Sequence, residues 1–203
     1  DFVKDILVTK LKAKHIVVGF NYRFGKNRTG SIEDLKELSK LYNFYLDVIP
    51  PVTKFGQVVS SSYIRELIRN GDIEKVEACL GRPYAIECTV IRGKGRGKQM
   101  GIPTANLDID PLMVLPKSGV YSVKVRHRNK WYDGIASIGE NPTFEEQDLS
   151  VEVHIINFSE NIYNDKLEVF FKRRIRDIIK FNNQLELKNQ ILKDIALLSN
   201  AKN

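Results

Sequence analysis

Apolar residues recur along this chain with two different periods, and the change falls near residue 84. Before it, the spacing is helical or compact. Phe2, Ile6, Leu7 and Leu11 are spaced as one face of a helix. His15, Ile16, Val17, Val18 and Gly19 form a short run ending in glycine, the pattern of a buried parallel strand. Ser31 stands three residues before Asp34, a capping box with Asp in place of the usual Glu, and Ile32, Leu35, Leu38 and Leu41 continue it as an amphipathic helix. Residues 44–49 predict a second strand, stopped by Pro50 and Pro51. Strand, helix, strand implies a right-handed βαβ crossover. Two short helices follow. One carries Ile64, Leu67 and Ile68 and ends at Gly71; the other carries Ile73, Val76 and Leu80, ends at Gly81 and has Asp72 as its cap.

From Tyr84 the period is two. Ile86, Cys88 and Val90 alternate with polar neighbours, as do Tyr121, Val123 and Val125, then Val151, Val153 and Ile155, then Leu167, Val169 and Phe171. Short alternating strands separated by turn residues predict an antiparallel sandwich or barrel. Helical spacing returns at Leu187, Ile191, Ile195 and Leu198, which predicts a C-terminal helix. The fold class is therefore α+β. One βαβ unit is small for a free-standing domain, so the first module is expected to be part of a larger one.

Composition narrows this picture only at the edges. The 203 residues are 42% hydrophobic and 28% charged, which excludes collagenous and disordered classes. No apolar run approaches the ~20 residues of a membrane span, and Cys79 and Cys88 lack C-x-x-C spacing. A reducing cytoplasm is the default. The net charge of +7 points to an anionic ligand, nucleic acid or nucleotide phosphate. The chain starts at Asp1, and its two Met residues, Met100 and Met113, are internal, which fits a fragment of a longer polypeptide.

The chemistry concentrates in residues 92–107. Gly93, Gly95, Gly97 and Gly101 are interleaved with Arg92, Lys94, Arg96 and Lys98. Glycines let backbone N–H groups approach an anion, and the cations add charge-assisted bonds. The segment is neither a Walker A loop nor G-x-G-x-x-G: Arg92 and Gln99 stand where Walker A needs Gly and Ser/Thr, and Lys98 stands where the other needs its third Gly. It reads as a phosphate loop between barrel strands, or as a solvated basic hairpin. Thr104 and Asn106 lie two apart after Pro103, so on an extended segment they face the same way. They suit Mg²⁺ already carrying phosphates, or else simple turn chemistry. Glu152 and His154 share one strand face, opposite Val151 and Val153. Glu152 is a candidate general base; a solvated face, and more weakly a metal pair, are the alternatives. Ser60, Ser61 and Ser62 with Arg65 open a helix, as an anion site or a plain N-cap. Residues 20–30, with Arg23, Lys26 and Arg28, follow a strand's carboxyl end, the ligand-binding edge of open α/β sheets.

Taken in order, these segments resemble one family, the bacterial bifunctional riboflavin kinase/FMN adenylyltransferases. Residues 18–30 are similar to its G-x-D-[FY]-x-F-G segment, with Asn21 in place of Asp. Residues 60–65 resemble its S-S-[ST]-x-I-R motif. Residues 101–107, from Gly101 through Pro103, Thr104 and Asn106 to Leu107, match the kinase signature G-[FI]-P-T-A-N-[LF]. Residues 119–121, 141–144, 152–154 and Arg176 with Lys180 and Phe181 follow in family order. Asn164 and Ile178 depart from it, standing where the family has Gly and Glu.

The resemblance implies a six-stranded Greek-key barrel with a C-terminal helix over residues 83–203, the riboflavin kinase domain. It assigns residues 1–82 to the C-terminal part of a Rossmann-like FMN adenylyltransferase domain. It implies transfer of the ATP γ-phosphoryl group to riboflavin, giving FMN, with Mg²⁺ accompanying ATP. The implied ATP site holds Gly93, Lys94, Gly95, Arg96, Gly97, Lys98, Gly101, Pro103, Thr104 and Asn106. Thr104 and Asn106 hold the metal, Glu152 is the base, and Arg176 contacts the flavin. The adenylyltransferase remnant holds Asn21, Arg28, Ser61, Ser62 and Arg65. The family's H-x-G-H motif has no match among His15, His127 and His154, so adenylyl transfer is expected to be absent from this chain. Small-molecule substrates are implied, with no nucleic acid or membrane partner. The competing expectation is a nucleic-acid-binding β-barrel, which the charge permits.

Overall fold

The computed structural model describes residues 2–93, 95, 97, 101–140, 149–181 and 183–199. Asp1, Lys94, Arg96, Lys98 and the segment at 141–144, all singled out by the sequence, lie outside the described residues. The rest form two compact units, 1–59 and 60–203.

In the first unit, β1 (His15–Gly19) pairs in parallel with β2 (Tyr45–Ile49), and α1 (Ile32–Tyr42) connects them. The expected βαβ crossover is present. Its entry is the capping box: Ser31 Oγ accepts from the Asp34 N–H at 3.1 Å, and the Ser31 N–H donates to the Asp34 carboxylate at 2.7 Å. Those bonds from Ser31 hold the Asp34 carboxyl below the usual carboxylate range. Val3, Val18, Leu35 and Phe44 form the core. The first turns differ from expectation. Phe2–Lys10 winds as a π-helix, with the Leu11 N–H reaching the Ile6 carbonyl at 2.9 Å. The wider turn aligns Val3 with Leu7 and Val8 against the core and leaves Leu11 exposed. A short hairpin, β3 (Thr53–Lys54) with β4 (Gln57–Val58), turns through Phe55 and Gly56, both with positive φ.

The second unit begins with α2 (Ser61–Asn70) and α3 (Ile73–Leu80). Gly71 and Gly81 end them in the left-handed conformation. Asp72 does not cap α3 with its side chain; its carboxylate is held by Lys75 at 3.2 Å instead. Six strands then close a barrel in the order β10-β5-β6-β9-β8-β7. They are β5 (Tyr84–Ile91), β6 (Ala105–Asp108), β7 (Gly119–His127), β8 (Lys130–Glu140), β9 (Leu149–Ile155) and β10 (Lys166–Arg176). Each pair is antiparallel. The alternating apolar residues of β5, β7, β9 and β10 fill the interior around Tyr121 and Phe171.

The last helix, α4 (Gln184–Ser199), turns Leu187, Ile191, Ile195 and Leu198 toward the fold at partial burial. Its most buried described residue is charged: Asp194 is 1% exposed and takes a forked contact from Arg176, with Nε at 3.0 Å and Nη2 at 2.7 Å from Oδ2. No described helix is long and apolar enough to cross a membrane.

Candidate functional site

The strand ladder decides which polar residues meet. Asn106 on β6 pairs with Glu152 on β9, and Glu152 pairs on its other side with Ser137 of β8. Directly paired residues point to the same face of a sheet. Asn106, Glu152 and Ser137 therefore make one polar row on the side opposite the buried Val151 and Val153. Thr104, just before β6, donates its hydroxyl to Glu152 Oε2 at 3.0 Å, joining residues 48 apart in sequence. His154, two residues beyond Glu152, donates from Nδ1 to the Pro103 carbonyl at 2.8 Å.

The glycine segment sits against this row. A Cβ on Gly93 would lie 2.5 Å from Asn106 Cγ and 2.8 Å from its Oδ1, so the backbone at 93 occupies the space a side chain would need. A Cβ on Gly97 would press on the Ile102 carbonyl and stand 3.2 Å from Thr104 Oγ1. The Ile102 N–H closes the loop onto the Gly97 carbonyl at 2.9 Å. Gly95 and Gly101 carry φ of +69° and +76°, which an L side chain rarely adopts. Lys188 of α4 brings its ammonium to 4.0 Å from where a Gly101 Cβ would be, so the C-terminal helix starts beside this loop.

Thr104 and Pro103 also form one wall of a cleft of about 310 Å³, whose other walls include Val153, Phe158, Ile162 and Tyr163. Arg92, at the mouth of the glycine segment, lies 5.7 Å over the Tyr163 ring. Asn164 adopts the left-handed conformation its position requires, with φ of +65°, and its N–H bonds the Val90 carbonyl. The loop is fixed from beneath by Asp165, which takes His127 Nε2 at 2.8 Å and Arg128 Nη2 at 2.9 Å. The hydrogen bond from His127, with Arg128 adding to it, holds the Asp165 carboxyl below its ordinary range. His127 itself is only 3% exposed and meets Phe158 edge-on.

The residues singled out by sequence thus divide. Gly93, Gly95, Gly97, Gly101, Pro103, Thr104, Asn106 and Glu152 share one site. The guanidinium of Arg176 is engaged by Asp194 and the Asp177 carbonyl, where it fastens α4. Asn21 and Arg28 are exposed in the first unit. Ser61, Ser62 and Arg65 are exposed in the first turns of α2, in the second. There Ser60 is the cap, accepting from the Tyr63 N–H at 3.2 Å. Sequence reasoning missed Ser137 and the cleft residues Phe158 and Ile162. Only the alternation of Ser137 with Ala136 and Ile138 signals the first.

The site offers oxygen donors of the kind Mg²⁺ prefers: a hydroxyl, an amide carbonyl and a neighbouring carboxylate. Among the described residues, no cluster of three or more His, Cys, Asp and Glu is placed to hold a metal. An ion here would share its coordination with a substrate's phosphates, as Mg²⁺ usually does.

Comparison with known proteins identifies the families that the two parts of the chain resemble. A family model described as riboflavin kinase matches residues 80–201, and one described as FAD synthetase matches residues 1–63. A bifunctional riboflavin kinase/FMN adenylyltransferase of Buchnera aphidicola subsp. Schizaphis graminum is 38% identical over 97% of this chain and 64% of its own length. Another, from Listeria monocytogenes, is 38% identical over 95% of this chain and 61% of its own length. A solved structure described as a macrolide-efflux protein from Streptococcus pneumoniae superposes with a TM-score of 0.87 at 33% identity, over 97% of this chain and 63% of that one. The chain thus spans less than two thirds of each of these relatives.

Proposed function

The chain belongs to the riboflavin kinase family, and from that premise we propose that it transfers the γ-phosphoryl group of Mg-ATP to the terminal ribityl hydroxyl of riboflavin, giving FMN. The observation that carries this reading is the 3.0 Å bond between Thr104 Oγ1 and Glu152 Oε2. It joins the family signature loop to the one carboxylate of the polar row.

Phosphoryl transfer asks for positioning and charge stabilisation more than for covalent chemistry. Glu152 stands on a rigid strand and receives the proton of the attacking hydroxyl. The oxygen then bonds to the γ-phosphorus as its bond to the ADP oxygen breaks. Glycines 93, 95, 97 and 101 bring backbone N–H groups to the phosphates, and Lys94, Arg96 and Lys98 supply positive charge. Thr104 and Asn106 hold the Mg²⁺, which when bound neutralises the phosphate oxygens. The cleft beside Tyr163 takes the adenosine part of the nucleotide. Arg176, whose guanidinium is held by Asp194, contacts the flavin.

We assign residues 83–203 to the kinase domain and 1–82 to the C-terminal part of an FMN adenylyltransferase domain, in a cytoplasmic enzyme. The two family matches support this division. Asn21, Arg28, Ser61, Ser62 and Arg65 belong to the adenylyltransferase half. A nucleic-acid-binding barrel is not favoured, because both matching families act on flavins by their descriptions. The test is incubation of the chain with riboflavin and Mg-ATP, followed by separation of the flavins. FMN without FAD is expected, since none of the three His residues has H-x-G-H spacing. No FMN sinks the kinase reading, and FAD sinks the expectation that adenylyl transfer is absent.

A further inference from the structure

We infer that His154 is a positioning residue of the phosphoryl-transfer site: by holding the Pro103 carbonyl it sets where the Thr104 hydroxyl stands relative to Glu152. The inference rests on the reading of Glu152 and Thr104 given above.

Pro103 has no N–H, and the β6 ladder starts only at Ala105. The backbone before Thr104 is therefore outside the sheet's hydrogen-bond network on this side. His154 supplies the missing tie, at 2.8 Å from the Pro103 oxygen. A carbonyl only accepts, so Nδ1 carries a proton in this contact. Glu152 and His154 are two apart on one strand, so both side chains reach the same side of the sheet. They grip consecutive residues: His154 takes Pro103, and Glu152 takes Thr104. The loop is also tied to Gly97, whose carbonyl accepts from the Ile102 N–H at 2.9 Å. Residues 102, 103 and 104 are thus each fixed by a separate contact. Released from His154, the Pro103 carbonyl turns to water at little cost to folding, because the contact is exposed. The Thr104 hydroxyl then loses the sub-ångström placement that catalytic groups need.

The alternative use of His154, as a metal ligand with Glu152, finds no third His, Cys, Asp or Glu among the described residues. Its Nδ1 is already directed at the carbonyl.

The test compares the wild-type chain with His154→Ala and His154→Asn. The Asn amide N–H stands close to where the ring Nδ1–H stood. In the Ala variant, kcat for FMN formation is expected to fall on the order of tenfold, the worth of about one hydrogen bond. KM for Mg-ATP stays near the wild-type value, and the Asn variant recovers most of the rate. An Ala variant with wild-type kcat, or an Asn variant as slow as Ala, overturns the inference. Nitrogen-15 spectra of the wild-type imidazole give a readout independent of turnover. A protonated Nδ1 is expected, and an unprotonated Nδ1 overturns the contact. If the wild-type chain forms no FMN, the reading of Glu152 and Thr104 fails, while the nitrogen spectrum still decides the His154–Pro103 contact.

Discussion

The backbone of Gly93 lies against the side-chain amide of Asn106, so close that a Cβ at 93 would stand 2.5 Å from Asn106 Cγ. The glycine is thus required by its neighbour, in addition to any freedom it gives the loop. Gly93→Ala is expected to push Asn106 out of the polar row and lower kcat/KM for Mg-ATP at least about tenfold. Because both changes act through one side chain, Gly93→Ala added to Asn106→Ala should cost little more, as expected for coupled neighbours. Steady-state kinetics of the two single variants and the double variant measure this. Full additivity would separate Gly93 from Asn106.

Glu152→Gln keeps an oxygen to accept the Thr104 hydroxyl but removes the base. The kcat for FMN formation should fall by roughly 10²–10⁴, the usual contribution of a general base. Calorimetric ATP affinity should be nearly unchanged. Near-normal turnover in this variant removes Glu152 from the mechanism.

Asp194 is 1% exposed and Arg176 17% exposed in the contact that fastens α4. Asp194→Ala leaves a largely buried guanidinium without its carboxylate, with only the Asp177 carbonyl as partner. The expected loss is about 3 kcal/mol, at the low end for a broken buried pair because Arg176 keeps some access to water. Replacing both residues together, Arg176→Met with Asp194→Leu, should restore much of it. Urea unfolding of the second unit reads both changes.

Asp165 has its carboxyl held below the ordinary range by His127 and Arg128. A depressed folded-state pKa gives a contribution that is fully present above the unfolded value of about 3.9. It is lost as pH falls through the folded value. Asp165→Asn should therefore be less stable than wild type at neutral pH, with the gap closing only as the solution becomes more acid than about pH 4. Urea midpoints of the two proteins across pH would show it. A gap independent of pH contradicts the assignment.

Cys88 faces the barrel interior, and burial, with Asp108 and Glu87 nearby, pushes its thiol up to about 11. The reactive species is the thiolate. At pH 8 a thiol-specific disulfide reagent should modify Cys79 alone in the folded chain and both cysteines after unfolding. Rapid native labelling of Cys88 would mean that the barrel opens.

The legible parts of this chain are those where a single period or a single local rule decides. Ser31 with Asp34 specifies its own capping box, and the alternation at 151–155 already places Glu152 opposite the core. What was not legible depends on partners distant in sequence. Strand β8 carries Gly134 and Gly139 among its apolar residues, which blurs its alternation. Gly134 is there because a Cβ would press to 2.8 Å on the His154 carbonyl. The pairing of Asn106 with Glu152, and so the site itself, depends on the closure of the barrel. The pairing of Arg176 with Asp194 is not legible in sequence, because its acid lies 18 residues on, in an otherwise amphipathic helix. The π-helical winding at the start is set by packing of Val3, Leu7 and Val8, which α-helical spacing does not anticipate.

The closed barrel has one more consequence. Its six strands each have two hydrogen-bonded neighbours, so none is an edge strand. In the first unit, β1 and β2 pair only with each other among the described residues. Each therefore keeps a row of backbone groups unmatched, and Val17, Tyr45 and Ile49 lie exposed along them. Backbone pairing with a further strand is thus closed to the barrel and, among the described residues, left to the first unit.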